Sequence, residues 1–341
     1  MNYRTIADLN KAIKNWIPEL PSDLELIIGI PRSGLLPATL LSLYLNLPLT
    51  DVEGLCEGRV LAAGRRFNRE STRDLLKRPL KVLVVDDSIN SGTQMKEVKS
   101  KIESARLPHK IYYAAVYASP EGTQHVDYWY EIVDNPRVFE WNVMHHDILT
   151  KSCVDIDGVL CRDPTPEEND DGERYLKFLT NVKPLVVPTK PIGWLVTCRL
   201  EKYRKITEEW LQRHGIQYGQ LIMMNLPDKE TRVALGAHAE FKARVYREVD
   251  AVLFIESSYS QAMKIARLAG KPVLCTEINK IINPNFVTAS YTQARKFVNM
   301  TISDPIGTLI KLVKFFKWKT SILWWRIYAT VRKKLEKRHK T

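Results

Sequence analysis

Short, continuous apolar runs recur along this chain, each followed by a polar turn and then by residues with helical spacing. In the first part they lie at residues 25–30, 81–85 and 110–117. A second series lies at 152–156, 193–197, 220–224, 251–255 and 272–275. Runs that do not alternate with polar residues suit strands buried on both faces, as in a parallel sheet. The helical patterns between them supply the crossovers. The pattern predicts an α/β chain of two doubly wound parallel-sheet domains, at residues 1–149 and 150–303. A basic amphipathic helix is expected over residues 304–341. No internal repeat or low-complexity segment interrupts the scheme.

A chain of 341 residues suits two domains better than one, and its 45% apolar content is enough for two ordinary cores. Five cysteines with no CxxC pair give neither a disulfide framework nor a zinc spacing, which favours a reducing cytoplasm. The first 25 residues lack the apolar core of a signal peptide. No apolar run reaches the roughly 18 residues of a spanning helix. The formal charge of +12 is concentrated at one end: residues 311–341 hold eleven Lys or Arg against the single Glu336. A near-neutral body argues against a nucleic-acid groove on the globular part.

Two strand ends hold candidate chemistry. VLVVDDSINSGTQM, residues 82–95, runs from an apolar strand into Asp86 and Asp87, then into a small-residue loop before a helix expected from Gln94. Ligands of open α/β sheets sit at the carboxyl ends of strands, and N–H groups at a helix start favour an anion. The two carboxylates would repel a bare phosphate, so they are expected to meet sugar hydroxyls or a metal. A phosphorylated sugar suits both halves of the loop.

This stretch resembles the signature of type I phosphoribosyltransferases that binds phosphoribosyl pyrophosphate (PRPP). The resemblance implies that Asp86 and Asp87 bind the ribose hydroxyls. It also implies that Ser88, Ile89, Asn90, Ser91, Gly92 and Thr93 wrap the 5-phosphate. Upstream, ELIIGIPRSGLLPATL resembles the family's pyrophosphate loop, with Arg32, Ser33 and Gly34 at the leaving group. EGRVLAAGRRFNRE resembles the loop that closes over PRPP, with Arg59, Arg65 and Arg66 as anion contacts. PRVFEWN falls where the family recognises its acceptor, without residue-level correspondence. The chemistry implied is loss of Mg²⁺-bound pyrophosphate through a ribosyl-cation-like state, shielded while the acceptor attacks.

CVDIDGVLCRD, residues 153–163, ends a strand in Asp-x-Asp-Gly and resembles motif one of haloacid dehalogenase-like phosphatases. That resemblance makes Asp155 the nucleophile and Asp157 the acid/base. Thr197 would contact the phosphoryl group with help from Arg199, and Lys242 would balance the charges. Asp155, Asp157 and Glu256 would hold Mg²⁺, with Glu256 standing where the family usually has aspartate. The acidic stretch 165–172 is expected as a small insertion over this site. His145 and His146 suit a boundary surface better than a metal site, and Cys153, Cys161 and Cys198 suit packing.

In the tail, apolar residues from Ile306 to Ile327 follow helical spacing, with Trp318, Trp324 and Trp325 suited to a lipid headgroup boundary. Docking on protein or nucleic acid is the alternative. Together these features predict a bifunctional ribofuranosyltransferase at the inner face of the cytoplasmic membrane. It would transfer phosphoribose from PRPP to a sugar acceptor, such as a lipid-linked glycan, and then remove the 5-phosphate. The rivals are a nucleobase phosphoribosyltransferase fused to a nucleotidase and a PRPP-sensing regulator. No nucleic acid partner is expected, and a homo-oligomer is not excluded.

Overall fold

The computed structural model describes residues 1–61 and 75–284. The chain starts with strand β1 (Asn2–Arg4) and helix α1 (Ile6–Trp16). Thr5 and Asp8 cap α1 reciprocally, each side chain accepting from the other residue's backbone N–H. Leu9, Ile13 and Trp16 turn to the core at the spacing of one helix face.

The first sheet is built from β2 (Leu26–Gly29), β3 (Leu49–Asp51), β4 (Lys81–Ile89), β5 (Lys110–Ala118) and β6 (Tyr128–Ile132). Its order is β3-β2-β4-β5-β6 with every neighbour parallel. The helices of this block are α2 (Leu35–Leu45), α3 (Val52–Cys56) and α4 (Thr93–Ser104). The strand expected at 81–85 continues to Ile89, because Asp86, Ser88 and Ile89 stay in register with Ala115, Tyr117 and Ala118 of β5. Asp86 and Asp87 therefore belong to the strand rather than to the loop beyond it.

A third short strand pair closes the block. β7 (Arg137–Phe139) lies parallel to β1, pairing Asn2 with Arg137 and Arg4 with Phe139. Neither strand was expected, since three-residue strands leave no run long enough to read.

The second sheet comprises β8 (Ser152–Val154), β9 (Ile192–Leu200), β10 (Tyr218–Met224), β11 (Leu253–Glu256), β12 (Val273–Cys275) and β13 (Lys280–Ile282). The order is β10-β9-β8-β11-β12-β13, parallel except for the β12–β13 pair. Helices α5 (Glu173–Asn181), α6 (Arg204–Arg213), α7 (Lys229–Leu235), α8 (His238–Glu248) and α9 (Tyr259–Ala269) accompany it. Each predicted strand of both series is present, with ends shifted by a few residues.

The chain is closely packed across the expected boundary at 149/150. Val138, Val143 and Leu149 are buried in the core of the second sheet, and Met1 and Tyr3 pack against it. The Tyr3 hydroxyl donates to Asn279 Oδ1 at 2.5 Å. Residues Met1–Ile282 accordingly form one compact unit. Among the described residues no helix is long and apolar enough to cross a membrane. The expected tail helix at 304–341 lies outside the described residues, as do Arg65 and Arg66.

Trp210 is a large, fully buried side chain of the second core, and its Nε1–H donates to the Val182 carbonyl at 2.7 Å. Trp210→Ala removes the ring and strands that carbonyl. Unfolding by urea should show a loss of about 3–5 kcal/mol.

Candidate functional sites

At the first site, β2 and β4 are neighbours in a parallel sheet, so their carboxyl ends deliver two polar turns to one place. The turn after β2 holds Arg32, Ser33 and Gly34. A Cβ at Gly34 would lie 2.5 Å from the Ile30 carbonyl and 2.9 Å from Asp86 Oδ1, so only glycine allows the approach. Gln94 Nε2 ties the start of α4 to the Pro31 carbonyl at 3.2 Å. Arg32 is exposed and Ser33 half-buried, both open to a ligand.

The acidic pair is held differently at each member. Asp86 Oδ1 accepts from the Asp87 backbone N–H at 2.9 Å, and Asp87 Oδ2 accepts from Trp141 Nε1 at 2.7 Å. Burial, with Asp87 beside it, pushes the Asp86 carboxyl well above the usual range. A cleft of about 560 Å³ is lined by Asp86, by Ser88, Ile89, Asn90, Ser91, Gly92 and Thr93, and by Arg137. The Ile89 side chain is buried in the core, so it contributes backbone rather than a polar group. α4 has no side-chain cap at Gly92, which leaves the N–H groups of its first turn open to an anion. Ser91 and Thr93 hydroxyls lie 3.0 Å apart at the same rim. Arg59 is 3.6 Å from both Asp51 and Glu57, engaged with its own neighbourhood.

Two residues here went unnamed in the sequence reading. Trp141 fixes Asp87. Arg137 donates from Nη2 to the Ile89 carbonyl at 2.7 Å, bracing the loop from β7. Both lie in PRVFEWN, a stretch whose role depends on a three-residue strand returning to the chain start.

The second site gathers at the carboxyl ends of β8 and β11. Lys242, from α8, donates to Asp155 Oδ2 at 2.6 Å, to Glu256 Oε2 at 2.7 Å and to Gln261 Oε1 at 3.2 Å. All three charged groups are buried. Burial pushes Asp155 up to about 7, with Lys242 opposing and Glu256 and Asp157 adding to the rise. Lys242 is raised in spite of burial because two carboxylates face it. Thr197 is fully buried within β9, which runs on to Leu200, and its Oγ1 accepts from the Arg199 N–H at 3.2 Å.

Asp157 faces another partner. The buried Arg199 reaches it through Nη2 at 2.6 Å and Nε at 3.0 Å, and Arg199 Nη1 is buried without a hydrogen-bond partner among the described residues. The carboxylates expected as one metal set are thus divided. Asp155 and Glu256 share Lys242, while Asp157 pairs with Arg199. Among the described residues no three Asp, Glu, His or Cys side chains converge as metal ligands.

The acidic stretch is fixed beside this site. Asp171 accepts from Lys202 Nζ at 2.7 Å, from the Tyr203 hydroxyl and from the Lys229 N–H, while Arg232 spans the Cys198 carbonyl and Asn169. Burial pushes the thiols of Cys153 and Cys198 up to about 12, against a nucleophilic role. His145 bonds to Thr189, and His146 Nδ1 accepts from the Ile148 N–H.

Residues 3–148 match the family model described as the phosphoribosyl transferase domain. The first block is therefore a phosphoribosyl transferase domain, a class that implies a PRPP-using transferase. Similar solved structures include a purine phosphoribosyltransferase from Pyrococcus horikoshii Ot3, 22% identical over 41% of this chain and 92% of that one, with a TM-score of 0.30. The xanthine-guanine-hypoxanthine phosphoribosyltransferase of Helicobacter pylori is 16% identical over 42% of this chain and 95% of that one, also with a TM-score of 0.30. No curated protein is significantly similar in sequence.

Two substitutions test the first site. Gly34→Ala should force Asp86 and the turn apart at a cost of about 1–3 kcal/mol, or about 5- to 150-fold in PRPP affinity by calorimetry. Trp141→Phe keeps the ring but removes the donor to Asp87. A hydrogen bond to a charged group is worth about 1.5–3 kcal/mol, so PRPP affinity should fall by about tenfold or more.

Proposed function

We propose that the chain is a two-step ribofuranosyltransferase. The first block transfers 5-phosphoribosyl from PRPP to a sugar hydroxyl, and the second removes the 5-phosphate. The observation supporting this most directly is the union, in one compact unit, of the cleft at Asp86–Asp87 with the buried Asp155–Lys242–Glu256 group. Transfer followed by dephosphorylation installs a bare ribose. A nucleotide-forming enzyme would gain little from a second site that undoes its product.

In the transfer step the ribose hydroxyls meet Asp86 and Asp87, the 5-phosphate lies on residues 88–93, and Arg32, Ser33 and Gly34 stabilise the departing pyrophosphate. In the second step Asp155 attacks the phosphoryl group, forming an aspartyl-phosphate. Asp157 exchanges protons with the leaving oxygen and the attacking water while Arg199 holds its carboxylate. Lys242 and the Thr197 hydroxyl steady the phosphoryl charge.

A divalent cation fits this second site by charge. The Asp155, Asp157, Asp163 and Glu256 carboxylates influence one another there, with Lys242 and Arg199 as the cations paired to them among the described residues. Mg²⁺, held by Asp155 and Glu256 through hard oxygens, would supply neutralisation of the phosphoryl oxygens. The basic, tryptophan-rich segment 306–341 is proposed to lie on an anionic leaflet and bring the chain to a lipid-linked acceptor.

Incubation with PRPP and a glycan acceptor should add ribose phosphate to the acceptor and then lose the phosphate, both seen by mass spectrometry. Asp155→Asn should stop at the phosphorylated adduct while PRPP consumption continues. If the variant remains folded and both activities vanish, the division between two sites is wrong. Deletion of residues 306–341 should abolish flotation with anionic vesicles and spare transfer to soluble acceptors. Flotation that persists without the segment would remove its membrane role.

A further inference from the structure

A second cleft, of about 660 Å³, opens at the seam next to the PRPP loop. From the first block it is lined by Ser88, Asn90, Arg137 and Asn142, and from the second by Thr150, Lys151 and Val252. Two of its polar groups lack hydrogen-bond partners among the described residues. Arg137 is only 8% exposed, and its Nη1 is buried without a hydrogen bond, although Nη2 is satisfied by the Ile89 carbonyl. Asn142 Oδ1 is likewise buried and unpaired. A buried unpaired donor and a buried unpaired acceptor each cost about 1–3 kcal/mol, a cost removed when a ligand pairs with them.

The two vacancies ask for opposite things. Arg137 Nη1 requires an acceptor atom and Asn142 Oδ1 requires a donor, and hydroxyl groups supply both. The amides of Asn90 and Asn135, which share one hydrogen bond at 3.2 Å from Asn135 Nδ2 to Asn90 Oδ1, add further polar groups along the wall. A flat heterocycle would instead need an open ring to stack on. Among the described residues Phe139 is the one phenyl, phenol or indole side chain lining the cleft, and it is stacked on Tyr117 at 5.5 Å and on Trp141 at 5.0 Å. Asp147 offers little free negative charge, since Lys190 lies 2.6 Å from it. His146 faces the Ile148 N–H.

We infer that this seam cleft is the acceptor site, that it takes a hydroxyl-rich saccharide rather than a nucleobase, and that the second block supplies one of its walls. The inference rests on the proposed transfer reaction and adds the acceptor class and the residues that select it. Arg137, shared by the PRPP cleft and the seam cleft, marks where donor and acceptor meet. Val252 and Lys151, which precede strands of the second sheet, thereby enter the specificity of a reaction performed by the first.

The test compares the wild type with Val252→Trp and Arg137→Lys, using alkyl hexopyranosides as saccharide probes and guanine and hypoxanthine as base probes. Val252 is 40% exposed at the rim, so a larger ring there should fill the cleft without disturbing either core. Val252→Trp should raise the KM for the hexopyranoside at least tenfold. The KM for PRPP and hydrolysis of a small phosphate ester by the second block should not change. Arg137→Lys, which retains the charge and can still reach a carbonyl, should also raise the acceptor KM. Transfer to a hexopyranoside with the same KM in both variants would overturn the cleft assignment and leave the proposed function standing. Transfer to purines alone would overturn the saccharide class and the proposed function together.

Discussion

A carboxylate buried at the end of a parallel strand has lost its water, and the surroundings must replace it or the group will not stay ionised. This chain accepts that constraint at both sheets. In the first, the replacement comes from neutral donors: the Asp87 N–H to Asp86 and the Trp141 indole to Asp87. In the second it comes from charge, with Lys242 between Asp155 and Glu256 and Arg199 clasping Asp157. The difference suits the tasks proposed for them. Neutral donors leave a carboxylate able to receive sugar hydroxyls, whereas buried cations prepare a site for a phosphoryl anion.

The same constraint organises the surrounding elements. Trp141 can reach Asp87 only because β7 returns to pair with β1 and sets PRVFEWN beside the cleft. Lys242 can reach its two carboxylates because α8 presents it beneath adjacent strands β8 and β11. Removing one partner from either arrangement leaves a buried polar group exposed to nothing. Such losses are costly out of proportion to the single bond removed.

Much of this was legible in the sequence for a physical reason. Strands buried on both faces must be largely apolar, so the runs at 81–85 and 152–156 announced themselves, and carboxylates in or just past their carboxyl ends stood out. Lys242 and Glu256, distant in sequence, were placed by resemblance and are joined in the structure. What could not be read depended on long-range pairing. β1 and β7 are three residues each, too short for a pattern, and their pairing spans most of the first block. The extension of β4 through Asp86 and Asp87 follows from its register with β5, which no local signal encodes. Arg199 was visible as a neighbour of Thr197, but its attachment to Asp157 required the crossing between β9 and β8. That the boundary expected at 149/150 is also a packed seam could not be read, because burial of Val138, Val143 and Leu149 in the other sheet's core leaves no local mark.

Opposite ends of the two sheets meet at the seam cleft. Ser88, at the carboxyl end of β4, and Asn90, just past it, share a cleft with Thr150, Lys151 and Val252, which precede the amino ends of β8 and β11. Asp155 lies past the opposite end of β8, about 13 Å further along at ~3.3 Å per residue. In the two-step reading, a sugar that has received phosphoribose at the seam cannot slide directly between the catalytic groups; it must leave one mouth and be recaptured at another. The enzyme would then work as a relay through solution, with a lag before dephosphorylated product builds up and with the intermediate open to capture by any competing phosphatase. Tethering both the enzyme and its acceptor to one surface would shorten that search from three dimensions to two, which gives a membrane-bound glycan a kinetic advantage that a freely diffusing acceptor would lack.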